Sequence, residues 1–215
     1  MKLKMSKGKW LIVLGVALVV IDQVIKILVK TNMTLGEHFD VFGDWFKIYF
    51  IENEGMAFGM KFGGWFGKLL LSLFRIVCKR PSTPTGVLVG LTLITAGALG
   101  NIFDCFFYGL VFSESTLYAP AVFGGHYAPF LFGKVVDMFY FPIIDTTWPD
   151  WMPWLGGRPF KFFEPVFNFA DSCVTVGTFY LIFFQYKFFA QDGKVENAQP
   201  EATPTKHSEG RKCKK

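Results

Sequence analysis

Charge is scarce in this chain of 215 residues: Asp, Glu, Lys and Arg together make up 18% of it, and histidine occurs three times. So little charge excludes a disordered polyelectrolyte or a coiled coil. The histidines, His38, His126 and His207, stand at no HExxH or zinc-like spacing with Cys, Asp or Glu, so neither a metal nor a cofactor is expected. The four cysteines show no CxxC spacing and no disulfide framework, and free thiols are expected. No serine lies in a GxSxG context, which removes the common serine-hydrolase signature. The formal charge of +5 comes from lysines and an arginine at the two ends of the chain, not from a stripe across a face, so no nucleic-acid partner is expected.

What the chain has in excess is apolar surface. Hydrophobic residues reach 52%, aromatics 19% with 27 Phe, and the mean hydropathy is +0.35. One core cannot absorb that much, so lipid must cover the rest. Four segments are predicted to cross a membrane: Trp10 to about Val29, about Trp65 to Cys78, about Gly86 to Phe103, and about Val166 to Tyr186. The second is the least apolar, because Lys68 and Arg75 interrupt it. Lysines precede the first segment, Lys79-Arg80 separates the second from the third, and Lys187 with the basic tail follows the fourth. The loops at about 30–64 and 104–165 carry more acids than cations. Positive flanks face the cytoplasm, so both termini are expected there and both long loops outside.

The expected fold class is therefore an all-α polytopic membrane protein with four transmembrane helices, a small β-rich outer subdomain and an aromatic outer loop. Trp45 to Ile51 has strand-forming residues with partial alternation, followed by turn-forming glycines. The loop through Trp148, Trp151 and Trp154 reads as an interfacial belt or lid. Residues 1–190 form the membrane domain, and 191–215 a polar, disordered cytoplasmic tail.

Acids at membrane depth need a partner, water or a use. Asp22 has Lys26 one turn later and is read as an intrahelical pair, or as an anchor for outer-loop backbone. Asn101 and Asp104 share a helical face beside Gly97 and Gly100, which allow close helix approach. Asn168 and Asp171 repeat that spacing at the start of the fourth segment, where Asn168 can cap the helix. Topology brings both pairs to one membrane face. Two carboxylates in a partly dry site can share one proton, one acting as base toward water and the other as acid toward an amide nitrogen. The same acids would also suit a proton or cation path through a small transporter, or hydrogen-bond glue in a scaffold. The end of the third helix disfavours negative charge and the start of the fourth favours it, which makes Asp104 the proton donor and Asp171 the base.

The segments Asp22-Gln23-x-x-Lys26, Asn53-x-Gly55-x-Ala57-Phe58-Gly59, Gly97-Ala98-Leu99-Gly100-Asn101-x-x-Asp104, and Val135-Val136-Asp137 followed by Phe167-Asn168-x-Ala170-Asp171-Ser172 are where the chain resembles a known family. In order, spacing and topology they are similar to the lipoprotein signal peptidases (signal peptidase II) of bacteria, over roughly residues 10–187. The resemblance implies a monomeric, multi-pass aspartic endopeptidase of the inner membrane. It would act near the outer face on diacylglyceryl-modified prolipoproteins, cutting before the lipidated cysteine and sensitive to globomycin-like cyclic peptides. It implies Asp104 and Asp171 as the catalytic pair, with Asn53, Gly55, Asn101, Asn168, Ala170, Asp22, Lys26 and Asp137 around them as substrate-binding or supporting residues. The family usually has arginine where Cys105 stands, and Lys134 and Arg158 are the candidates to supply that charge.

Overall fold

A computed structural model describes residues 6–54, 83–142, 144–147, 149–154, 156–162 and 165–188. The expected second span, the turn glycines from Gly55 onward and the tail lie outside the described residues.

Two helices are long and apolar enough to cross a bilayer: α1 (Lys7–Asn32) and α2 (Thr85–Val111). The third, α3 (Phe169–Phe184), is apolar but shorter. On α1 the exposed side chains Ile12, Val16, Val20, Val24 and Leu28 recur every fourth residue, while the equally spaced Asp22, Lys26 and Lys30 are buried. The helix turns its apolar stripe outward and its charged stripe inward, the reverse of a helix in water.

Glycine sets how closely the helices meet. A Cβ at Gly97 would run into the backbone carbonyl of Ala170, one at Gly100 would lie 2.6 Å from Asp22 Oδ2, and one at Gly177 would lie 2.8 Å from the Gly90 carbonyl. The close approach expected at Gly97 and Gly100 is therefore present, and it brings the start of α3 against the middle of α1 and α2.

The strands are β1 (His38–Phe42), β2 (Phe46–Asn53), β3 (Val135–Tyr140), β4 (Ile144–Thr147), β5 (Pro159–Phe162) and β6 (Val166–Phe167). An antiparallel sheet has the order β1-β2-β3-β6, and β4 and β5 pair as a separate hairpin. The label all-α therefore understates the molecule, because both long loops contribute strands. Trp151 and Trp154, between β4 and β5, are exposed.

Alternation gives the sheet two faces. Phe50, Val136 and Met138, all without solvent exposure, pack with Val29 of α1, Tyr108 of α2 and the residues that end these helices, Met33 and Phe112. Burying each such side chain contributes about 1.5 to 3 kcal/mol. The opposite face carries Asn53, Val135 and Asp137. Phe167 of β6 pairs with Phe139 of β3, so the next residue, Asn168, enters α3 beside Asp137.

Candidate active site

Asn168 caps α3 with a complete capping box. Its Oδ1 accepts from the Asp171 backbone N–H at 2.9 Å, and the Asp171 carboxylate accepts from the Asn168 N–H at 3.3 Å. Because Oδ1 faces a backbone donor, the amide Nδ2 must point the other way, where it donates to Asp137 Oδ1 at 2.7 Å. One cap residue therefore ties an acid on β3 to an acid on α3. Asn53 of β2 lines the same cleft, where its amide favours the ionised form of Asp137.

Asn101 is oriented by the same logic. Lys26 Nζ donates to its Oδ1 at 2.8 Å, so its Nδ2 turns to Asp171 Oδ1 at 2.7 Å. The spacing of Asn101 and Asp104 suggests a working pair, but the structure couples Asn101 to the acid of the other helix.

Asn53, Asn101, Cys105, Val135, Asp137 and Asp171 line one cleft of about 290 Å³. Asp104 is not among the lining residues. It has no solvent exposure, its Oδ2 lies 2.7 Å from Lys26 Nζ, and its Oδ1 accepts from Gln23 Nε2 at 2.8 Å. The helix continues past Asp104 to Val111, so this acid is inside α2 and not at the dipole end expected for it. Of the two acids given the chemistry in the sequence reading, the structure brings Asp171 to the cleft and ties Asp104 to a buried cation.

Asp22 makes the intrahelical pair expected of it, and the backbone it holds belongs to a helix and not to an outer loop. Its Oδ2 lies 3.0 Å from Lys26 Nζ, and its Oδ1 accepts from the Ala170 backbone N–H at 2.9 Å, anchoring the first turn of α3. Lys26 is thus the cation beside Asp104. Neither candidate named for that charge serves it: Lys134 faces Glu114 at 3.5 Å and the Tyr127 ring, and Arg158 is exposed. Cys105 and Cys173 are free and buried. Among the described residues, no group of three His, Cys, Asp or Glu side chains is placed to hold a metal ion.

Burial, and after it the charge of Asp171, pushes the Asp137 carboxyl up to about 6. Among the described residues neither Asp137 nor Asp171 is in an ion pair, and both accept from side-chain amides. Such an arrangement can hold one proton between two acids and release it to a third group. The family resemblance gave Asp137 a supporting role, and a lone acid on a strand has no helical spacing to mark it otherwise. The usable signal was Val135-Val136-Asp137: alternation sets Asp137 on the face opposite the buried Val136.

A model of the family described as signal peptidase (SPase) II matches residues 14–187, a range that contains every group of the cleft. The chain is 47% identical to a lipoprotein signal peptidase of Porphyromonas gingivalis, with 83% of this chain and 84% of the relative covered. It is 35% identical to a lipoprotein signal peptidase of Amoebophilus asiaticus, with 80% and 76% covered. Among solved structures it is similar to a bacterial membrane enzyme at a TM-score of 0.51 and 25% identity, covering 81% of this chain and 90% of that one. A second bacterial membrane enzyme shares the fold at a TM-score of 0.55 and 23% identity, covering 91% and 94%. The match runs from the first helix through the last described one, and with it the chain belongs to the signal peptidase II family.

Proposed function

We propose that this chain is a bacterial membrane endopeptidase that removes signal peptides from prolipoproteins, cutting before the diacylglyceryl-modified cysteine, with Asp137 and Asp171 as the reacting acids. The observation that carries the assignment is that these two acids line one cleft and are bridged by Asn168, whereas Asp104 is sealed against Lys26. Asp171 accepts hydrogen bonds from Asn101 and from the cap of α3, which hold its carboxylate at the cleft. It takes a proton from water as the water oxygen attacks the scissile carbonyl carbon. Asp137, carrying the proton that burial favours, gives it to the departing nitrogen as the C–N bond breaks. The proton held by Asp171 then restores Asp137, and no other group is consumed.

Four crossings, cytoplasmic termini and a cleft near the outer face remain part of this reading, supported by the flanking lysines and by the outward apolar stripe of α1. A lipidated precursor would keep its acyl chains in the bilayer and raise only the peptide to the cleft. Globomycin-like cyclic peptides would occupy the same cleft, and a monomer suffices because one chain carries both acids. A proton conduit finds no support in the acids at depth, since Asp22 and Asp104 are closed off around Lys26.

The test is cleavage of a synthetic diacylated prolipopeptide by the purified full-length protein in detergent, with the products identified by mass. Cutting before the lipidated cysteine, blocked by globomycin, is the expected result. Equal cleavage of the unlipidated peptide would sink the substrate assignment.

A further inference from the structure

We infer that Glu52, held by Lys30, is a positioning residue for the reaction: the buried pair fixes the register of β2 on β3 and so sets Asn53 against Asp137. The inference rests on the reading of Asp137 as a reacting acid.

Ile51, Glu52 and Asn53 lie opposite Asp137, Val136 and Val135 on the neighbouring strand. Alternation sends Asn53 to the cleft and Glu52 to the core face that carries Phe50, Val136 and Met138. On that apolar face the Glu52 side chain is only 3% exposed. It pairs with Lys30 and accepts from Ser115 Oγ at 2.6 Å. Lys30 has no exposure either, donates to Ser115 Oγ at 2.9 Å, and lies over the Tyr127 ring at 5.0 Å. The second Glu52 oxygen is buried without a hydrogen bond, 3.9 Å from Lys134 Nζ.

Two ions buried this way cost several kcal/mol each to desolvate, and apolar side chains of like volume would fill the space with no such cost. What an apolar pair would not do is reject the wrong register. A slip of one residue would turn Asn53 into the core and Glu52 into the cleft. Lys30 would then stay buried with no counterion. The pair therefore penalises a slip that would take the Asn53 amide out of the cleft that holds Asp137.

The groups around Asp137 make the consequence readable. Asn53 comes from β2, Asn168 and Asp171 from the start of α3, and Lys26 from α1. From α2, Asn101 and Cys105 line the cleft, with Asp104 behind them on Lys26, while β6 adds only Val166 and Phe167. Moving the Asn53 amide out of the cleft favours the protonated form of Asp137. A proton donor that holds its proton longer moves the alkaline limb of the rate profile to higher pH.

The experiment compares the full-length parent with Glu52→Gln and with Lys30→Met/Glu52→Leu, measuring thermal unfolding, kcat, KM and the pH dependence of kcat on a synthetic diacylated prolipopeptide. The double variant is expected to unfold near the parent temperature with KM within about twofold, while kcat falls about tenfold and its alkaline limb moves up. A double variant with parental kcat and pH profile overturns the inference, as does a loss of kcat in both variants that only tracks the loss of folded protein. Asp137→Asn in the same series separates the two readings. Parental cleavage by that variant sinks the acid assignment itself, whereas an inactive Asp137→Asn beside an unaffected double variant sinks only the positioning role.

Discussion

The carboxylates around the start of α3 fall into two settings. Asp22 and Asp104 converge on the ammonium of Lys26 at 3.0 and 2.7 Å, with Gln23 closing the group and essentially no solvent reaching it. Asp137 and Asp171 instead meet side-chain amides, from Asn168 and Asn101 at 2.7 Å each, and open onto a cleft. The cation draws both carboxylates into the helix packing and away from the cleft. Amides orient a carboxylate without supplying a counter-charge, and they leave the second pair facing the cleft. Asn101 joins the settings, because Lys26 orients the amide that in turn orients Asp171. The packed group is thus the support on which the cleft group stands.

The largest expected effect breaks the comparison at the cleft. Asp137→Asn and Asp171→Asn should each lower kcat by at least about a thousandfold, since residues that act as a unit fail together. Both should still insert in the membrane, and Asp104→Asn should retain measurable turnover per folded molecule. Cleavage assays normalised to folded protein decide this. Full activity of Asp137→Asn beside complete loss in Asp104→Asn would return the chemistry to the helix acid.

A smaller effect, on stability, is expected at the packed group. Lys26→Met leaves Asp22 and Asp104 buried against each other with no cation, and should cost about 3 to 5 kcal/mol of folding stability. Asp104→Asn keeps the Asp22 pair and should cost less, about 1 to 3 kcal/mol. Thermal unfolding in detergent measures both. A Lys26→Met protein that melts with the parent would show that the cation is dispensable to the packing.

The sequence made part of each group legible: the Asp22-Lys26 pair in one, and Asp171 with its cap in the other. Hydrophobic runs mark α1, α2 and α3, the Asp22-Lys26 spacing marks an i,i+4 pair, and Asn168-x-x-Asp171 marks a cap, because each signal is local. Gly97 and Gly100 were readable for the same reason. The equal spacing of Asn101-Asp104 and Asn168-Asp171 invited an equal role for both acids. What breaks that symmetry is non-local: Lys26 reaches Asp104 across the helix interface, and β6 delivers Asn168 to Asp137 across the sheet. Strand β3 was hidden for a related reason, since it pairs with β2, far away in sequence, and with the two-residue β6. A count of cations would have helped, because a buried lysine at membrane depth calls for acids around it.

The smallest expected effect sharpens the comparison by sign. Asp137 is held up at about 6, from a usual 3.8, by its burial and then by the charge of Asp171. A carboxyl raised in the folded state keeps a proton that the unfolded chain has already released. Its stabilising contribution is therefore complete below about pH 4 and is lost as pH rises through about 6. Above that, the folded protein carries an ionised, partly buried acid beside a second one. Asp137→Asn removes that charge, and the new side chain can still accept from Asn168. The variant should be no more stable than the parent near pH 4, and gain up to about 2 to 3 kcal/mol by pH 7.5. It would be inactive and more stable at once, the opposite of Lys26→Met and Asp104→Asn. Thermal unfolding of parent and variant across this pH range is the measurement. A variant less stable than the parent by the same margin at pH 4 and pH 7.5 would mean that Asp137 serves only as a packed structural group.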